Sequence, residues 1–224
     1  MFKTELHCHS SELSGCSSES AVDTVRRYAE LGYTSVVFTN HFNSWSFRDT
    51  KLSTYEEYIK RHYELVAETR EKAGVDVYLI PGLELAINNF CNDYLVFGPY
   101  YETLRAMPNV FDESLETIHD RLNEAGCLFI QAHPLRWGMQ ITRPHLIDGY
   151  EVMNTHPGQE SHNDVAMLLA KSVGGEGKIL TSGSDHHDPW HIPNGGILTE
   201  KPIKTAEELV ATLKSGKYHL MGLR

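Results

Sequence analysis

Apolar and polar positions alternate along this chain in two rhythms, and the switches between them mark out its elements. Short runs rich in β-branched and aromatic residues recur at 4–10, 35–39, 75–81, 94–97, 127–131, 149–153 and 178–181. Each has strand length, and most are bounded by Gly, Asn, Asp or Pro. Between them the apolar spacing lengthens to that of a helix. Val22, Val25 and Ala29 form one stripe on a helix expected from about Ser20 to Leu31 and stopped by Gly32. Thr54 and Glu57 have the spacing of a capping box and open a long helix to Ala73–Gly74. Asp112 is expected to cap a helix to Ala125–Gly126, another covers about Glu160 to Val173, and Thr205 with Glu208 opens the last.

One link breaks the alternation. The run at 94–97 starts too soon after Glu84 for a parallel crossover, which needs about a dozen residues or more. A hairpin is expected there, with Glu84 and Asp93 near one turn. About seven strands, one entering by a hairpin, predict a largely parallel α/β sheet closed into an imperfect barrel. We expect one α/β domain over residues 1–224, a distorted (β/α)7 barrel. The glycine run Gly174-Gly175-Glu176-Gly177 precedes a strand and lacks the Lys-Ser/Thr of a phosphate loop, so it is given no phosphate role.

Composition narrows the chemistry. A hydrophobic content of 41% and charged content of 22% are ordinary for a globular protein of 224 residues. The formal net charge of −10 argues against a basic nucleic-acid face and makes cations useful for any polyanionic substrate. The start, Met-Phe-Lys-Thr-Glu, lacks a signal-peptide pattern, and no apolar run approaches the length of a membrane span. Cys8, Cys16, Cys91 and Cys127 form no CxxC pair and are expected as reduced thiols in the cytoplasm. A plain thiol is preferred to a soft metal ligand at Cys16.

The 13 histidines matter more for their placement than for their number. In a strand over 4–10, His7 and His9 point to one face, about 6–7 Å apart along the chain. His41, Glu84, His133, and Asp185 with His187 then each fall at or just past the end of another strand. In a parallel barrel that rim is where loops converge and active sites are built. A strand-end His or Asp is commonly only a cap or turn residue, but five such ends together weaken that explanation. His62, His119 and His219 are expected to be solvated or structural, while His186 and His191 are ambiguous. Imidazole with carboxylate suits Zn, Mn or Fe, and a carboxylate such as Glu84 can bridge two ions.

These residues resemble the PHP (polymerase and histidinol phosphatase) family of metal-dependent phosphoesterases. The matching pieces are Glu5-Leu6-His7-Cys8-His9-Ser10, Thr39-Asn40-His41, Pro81-Gly82-Leu83-Glu84, Ala132-His133-Pro134 and Gly183-Ser184-Asp185-His186-His187. The resemblance implies a distorted barrel of about seven strands with metals at its C-terminal rim. It further implies three metal positions: His7, His9, Glu84 and Asp185; Glu84, Asp93 and His133; and Glu12, His41 and His187. Two positions depart from the family pattern, which usually has histidine in place of Asp93 and aspartate in place of Asn40.

The expected activity is hydrolysis of a phosphoester. Two or three divalent ions (Zn, Mn or Fe) lower the pKa of a bridging water toward neutrality. Arg136, three residues after His133, is the leading candidate to meet phosphate oxygens, ahead of Arg143, because a planar guanidinium fork suits them. His156 is the candidate for contacting substrate or protonating the leaving group. The expected partner is a small phosphorylated molecule such as a phosphomonoester, with no long nucleic acid and no membrane; the oligomeric state stays open. Two alternatives compete: exonuclease-like hydrolysis of nucleotides or short oligonucleotides, and an amidohydrolase-type site. A non-catalytic metal module is a further alternative. The amidohydrolase type uses a bridging lysine where Glu84 stands here.

Overall fold

A computed structural model describes residues 1–88, 90–107, 109–173 and 177–222. Strand β1 (Phe2–Glu5) leads through α1 (Ala21–Glu30) to β2 (Tyr33–Phe38). A two-residue strand, β3 (His41–Phe42), and helices α2 (Ser44–Thr50) and α3 (Tyr55–Ala73) precede β4 (Tyr78–Ala86), which turns back as β5 (Asp93–Phe97). Helices α4 (Tyr101–Arg105) and α5 (Leu115–Glu124) lead to β6 (Leu128–Gln131), and a long loop to β7 (Gly149–Asn154). Then come α6 (Asn163–Val173), β8 (Ile179–Gly183), β9 (Ile197–Thr199), α7 (Ala206–Ser215) and β10 (His219–Leu220).

Strands β1, β2 and β4 run parallel, β5 is antiparallel to both β4 and β6, and β6, β7 and β8 are parallel again. The ring closes beyond the regular strands. Cys8 bridges His186 in parallel, His9 N donates to His186 O at 3.0 Å, and Asp185 N donates to His7 O at 2.8 Å. Seven strands therefore circle a distorted barrel, with the expected hairpin at β4–β5. Short strands β9 and β10 add an antiparallel ladder to the open end of β1.

Alternation along the strands separates two apolar regions. Val36, Phe38, Leu83, Tyr94, Val96 and Phe129 pack outward under the helices. Val37, Ile80, Leu95, Phe97, Leu128 and Ile130 point inward, with Leu209, Val210 and Leu213 of α7 in the same cluster. The inner rows change character toward one rim. On β4 the row Ile80, Gly82 ends in Glu84; on β5 the row Phe97, Leu95 ends in Asp93. The same face that makes the core thus delivers carboxylates to the mouth.

Local signals resolve mostly as expected. Ser20 caps α1 by accepting from Asp23 N, and Thr54 and Glu57 cap α3 reciprocally. Four boundaries differ. Ser114, not Asp112, caps α5, because its backbone is extended and its hydroxyl reaches Thr117 N, whereas Asp112 ends a short 3-10 turn. Helix α6 starts at Asn163 rather than near Glu160. Strand β4 runs on to Ala86, held by pairing with β5, so Glu84 lies inside the strand rather than past its end. Strand β1 ends at Glu5, and His7 and His9 follow it in the segment that closes the barrel. The glycine turn at 174–176 lies outside the described residues.

Candidate metal centre

The rim gathers its groups through backbone pairing. In β3, His41 sits opposite Glu84, and its Nδ1 comes 2.9 Å from Glu84 Oε2. In the β4–β5 hairpin, Ala86 opposes Asp93, which sets Asp93 at the same mouth. Strand β7 carries a bulge between Glu151 and Met153 against β8. An extra residue there puts Glu151 and Asn154 within reach of each other, 2.9 Å between Asn154 Nδ2 and Glu151 Oε2.

At the centre lie His7, His9, Glu84 and Asp185, each at most 1% exposed. His7 Nε2 and His9 Nε2 are 3.1 Å apart. His7 Nε2 is 3.3 Å from Glu84 Oε1 and from Asp185 Oδ1, and His9 Nε2 is 3.3 Å from Glu84 Oε2 and from Asp185 Oδ1. Two ligands at ~2.0–2.1 Å from one tetrahedral ion stand about 3.3 Å apart. The spacing is that of ligands around a cation, and most of these contacts are not paired as hydrogen bonds. His133 Nε2 lies 3.1 Å from Glu84 Oε1 and 4.0 Å from Asp93 Oδ2. His9, His41 and His187 form a third group. Three ligand triads thus surround one buried carboxylate.

Electrostatics fit the same purpose. Burial alone raises a carboxyl pKa, yet His7, His41 and His133 hold Glu84 well below the usual range. Burial is likewise overridden at Asp185 by His7, His9 and Arg136. Asp93 is pushed up to about 6 by burial and the neighbouring Glu84, so a cation beside it would favour its charged form. Glu84 Oε2 and His41 Nδ1 have no hydrogen-bond partner although they face each other at 2.9 Å. Two orphaned buried atoms so placed fit a shared metal ion better than a hydrogen bond.

The ligand groups are held from behind. Glu151, buried in β7, accepts from His7 Nδ1 at 2.9 Å, from His133 N at 3.0 Å and from Asn154 Nδ2. A carboxylate behind a ligand imidazole fixes its tautomer and aims the other nitrogen at the metal. His9 Nδ1 contacts Ser14 Oγ at 3.1 Å, and Ser14 donates to Asn40 Oδ1 at 3.0 Å, so Asn40 orients His9 through a hydroxyl. Glu5 receives the backbone N–H groups of His7 and Ser184, tying the first and last ligand segments together. His133 and Asp185 have left-handed backbones (φ 27° and 51°), a conformation that costs about 1–3 kcal/mol and persists where surroundings enforce it. Glu151 and Ser14 carried no motif; a lone Glu in the buried run Gly149–Met153 was the available signal for the first.

Other sequence candidates fall differently. Glu12 is not brought to the cluster: its exposed carboxylate accepts Ala21 N at 3.0 and 3.1 Å, because the positive start of α1 attracts it. The Cys16 thiol lies against His187 and His41 instead; burial raises its pKa, but those two imidazoles outweigh that and hold it at about 6. Arg136 does not face solvent as a free fork. Its Nη2 donates to Asp185 Oδ2 at 2.8 Å and Asn154 Oδ1 at 3.0 Å, while its Nε is buried without a partner. Arg143 is exposed, in a separate cleft with Phe90, Tyr94 and Leu146. His156 Nδ1 accepts from Gly158 N, its ring lies 5.5 Å from that of His187, and burial lowers its pKa to about 4. His62 is buried against Phe42 and Tyr58, the structural of its two expected roles.

No family model and no curated protein matches the sequence. Solved structures match nearly all of it. PsfC from Pseudomonas syringae superposes with a TM-score of 0.68 at 17% identity, over 95% of this chain and 89% of that one. A two-domain protein from Bacteroides vulgatus, containing a predicted PHP-like metal-dependent phosphoesterase, gives 0.65 at 13% identity, over 98% of this chain and 64% of that one. The chain has the PHP fold. The lesion-specific endonuclease PfuEndoQ from Pyrococcus furiosus superposes with a TM-score of 0.59 at 16% identity, over 98% of this chain and 57% of that one. The chain therefore spans less than two thirds of the length of the Bacteroides protein and of PfuEndoQ. In a complex of Endonuclease Q, a 27-mer duplex carries an abasic lesion at the active site. That complex corrects the expectation of a small phosphorylated partner and no long nucleic acid. A protein of similar fold presents its active site to long DNA, so the net charge of −10 excludes no such substrate.

Proposed function

We propose that the protein hydrolyses phosphodiester bonds in nucleic acid with the help of two or three divalent cations. The observation that carries this reading is the placing of Glu84 among three ligand triads: it is a member of His7–Glu84–His133 and lies within 3.3 Å of a histidine in each of His7–His9–Asp185 and His9–His41–His187. When bound, the cations lower the pKa of water toward neutrality and offset charge on the phosphoryl oxygens. The donor set of imidazoles and carboxylates suits Zn, Mn or Fe.

The chain's own residues divide the remaining work. Glu84 holds the positions together, and Asp93 with His133 serves the hairpin side. Arg136 fixes Asp185 through Nη2. His156, with Nδ1 accepting from Gly158 N, carries its ring proton on Nε2 and donates it as a neutral hydrogen bond to the leaving oxygen. Glu84, within 3.3 Å of His7, His9, His41 and His133, holds the position where the amidohydrolase alternative uses a bridging lysine.

The test strips the protein with a chelator, reloads Zn, Mn or Fe, and offers bis(p-nitrophenyl) phosphate, single-stranded oligonucleotide and abasic duplex beside a panel of amides. Metal-dependent cleavage of phosphodiesters is expected, and Glu84→Gln loses metal and activity together. Cleavage of amides and of no phosphoester overturns the reading.

A further inference from the structure

The chain has three tryptophans, and all three are in water: Trp45 is 74% exposed, Trp137 96% and Trp190 64%. Indole is normally among the most buried side chains on average, so keeping every copy at the surface calls for a ligand. Each follows a cluster histidine by three or four residues, and each on a different rim segment. Trp45 follows His41 in α2, Trp137 follows His133 in the β6–β7 loop, and Trp190 follows His187 beyond β8. Phe90, 47% exposed, occupies the β4–β5 turn between Glu84 and Asp93.

These rings do not form one apolar patch. Among the described residues, no two of the four pair with each other; Trp190 instead stands edge-on to His191 at 4.2 Å, and His191 lies 4.5 Å from His156. A protein partner or a second copy presses on contiguous apolar surface. Separate platforms around a polar mouth suit a ligand that offers several rings in succession. A small ester brings one ring, whereas a nucleic-acid strand brings one at every step with a phosphate between. The Arg48 guanidinium, 4.9 Å from the centre of the Trp45 ring, places a cation beside that platform. An acidic chain has few cations with which to follow a backbone, and base stacking supplies affinity without them. In a duplex the base faces are already covered by their neighbours.

Resting on the phosphodiester reading above, we propose that Trp45, Trp137 and Trp190 stack bases flanking the scissile phosphate, so that the site takes an unpaired strand. The metal-loaded protein is titrated with a short phosphorothioate oligothymidylate while its tryptophan fluorescence is followed, and then with the matching duplex. Saturable quenching by the single strand is expected. Replacing any one tryptophan by leucine should weaken binding about 5- to 150-fold, the range of one lost stack. Binding without quenching, unaltered by the three substitutions, overturns the proposal, as does tighter binding of the duplex. Bis(p-nitrophenyl) phosphate cleavage in the same preparations separates the failures. If it is cleaved and no oligonucleotide binds, the stacking proposal falls and the catalytic reading stands. If oligonucleotide binds with quenching and no phosphoester is cleaved, the catalytic reading falls and the platform stands. Metal content of each variant reports that it has folded.

Discussion

Glu151→Gln isolates the device that aims His7. The two carboxylate oxygens of Glu151 accept from three donors: His7 Nδ1 at 2.9 Å, His133 N at 3.0 Å and Asn154 Nδ2 at 2.9 Å. An amide has only one acceptor end. If its oxygen faces His7, its NH2 meets the His133 N–H and Asn154, and a buried donor is left unsatisfied at a cost of about 1–3 kcal/mol. If it turns round, His7 Nδ1 must accept, the ring proton moves to Nε2, and the nitrogen facing Glu84 and Asp185 can no longer bind a metal. Either way metal affinity should fall by about 10- to 100-fold, the usual effect of losing such a carboxylate. Competition titration against a metal-binding dye measures this directly, with circular dichroism to confirm the fold. Affinity within about 2-fold of the wild type would refute the claim that Glu151 sets the His7 tautomer.

Three further outcomes follow from other parts of the molecule. Glu12→Ala should lose about 1 kcal/mol of stability in denaturant, through the start of α1, while metal content by mass spectrometry stays at the wild-type level; loss of an ion would return Glu12 to the cluster. Gly183→Ala should abolish metal binding, since its Cβ would lie 2.3 Å from His7 Cβ and 2.6 Å from Glu151 Oε1; a variant that binds metal normally contradicts this packing. His62, held neutral in the fold because burial lowers its pKa to about 3, takes up a proton near pH 6.5 only when unfolded. Stability should therefore drop as pH falls below 6.5, by ~2 kcal/mol at pH 5, and the gap between wild type and His62→Gln should close by that amount between pH 7.5 and 5. A gap independent of pH would show that His62 is not the buried neutral group.

Much of this was legible in the chain because apolar rhythm and strand-end polarity report the same barrel. The β4–β5 hairpin followed from linker length alone, and His7, His9, His41, Glu84, His133, Asp185 and His187 were recognisable as strand-end groups. What was hidden has local causes. Glu12 stands in the right loop, but sequence distance could not show that the start of α1 would claim its carboxylate. Glu151 reads as the middle of an apolar strand, and only a bulge reveals that it faces the site. Strand β3 and helix α2 are too short for periodicity, and β9 and β10 exist through pairing with β1 rather than through their own pattern. Arg136 looked like a free fork because its partner Asp185 lies 49 residues away.

Closure between residues 7–9 and 185–186 makes the centre a rivet across the seam where the first barrel strand meets the last. During synthesis His7 and His9 emerge more than 170 residues before Asp185 and His187, so a chain that has not yet reached Asp185 carries no assembled cluster. Once riveted, the seam should be the part of the barrel that metal supply strengthens most, and the first to part when cations are withdrawn.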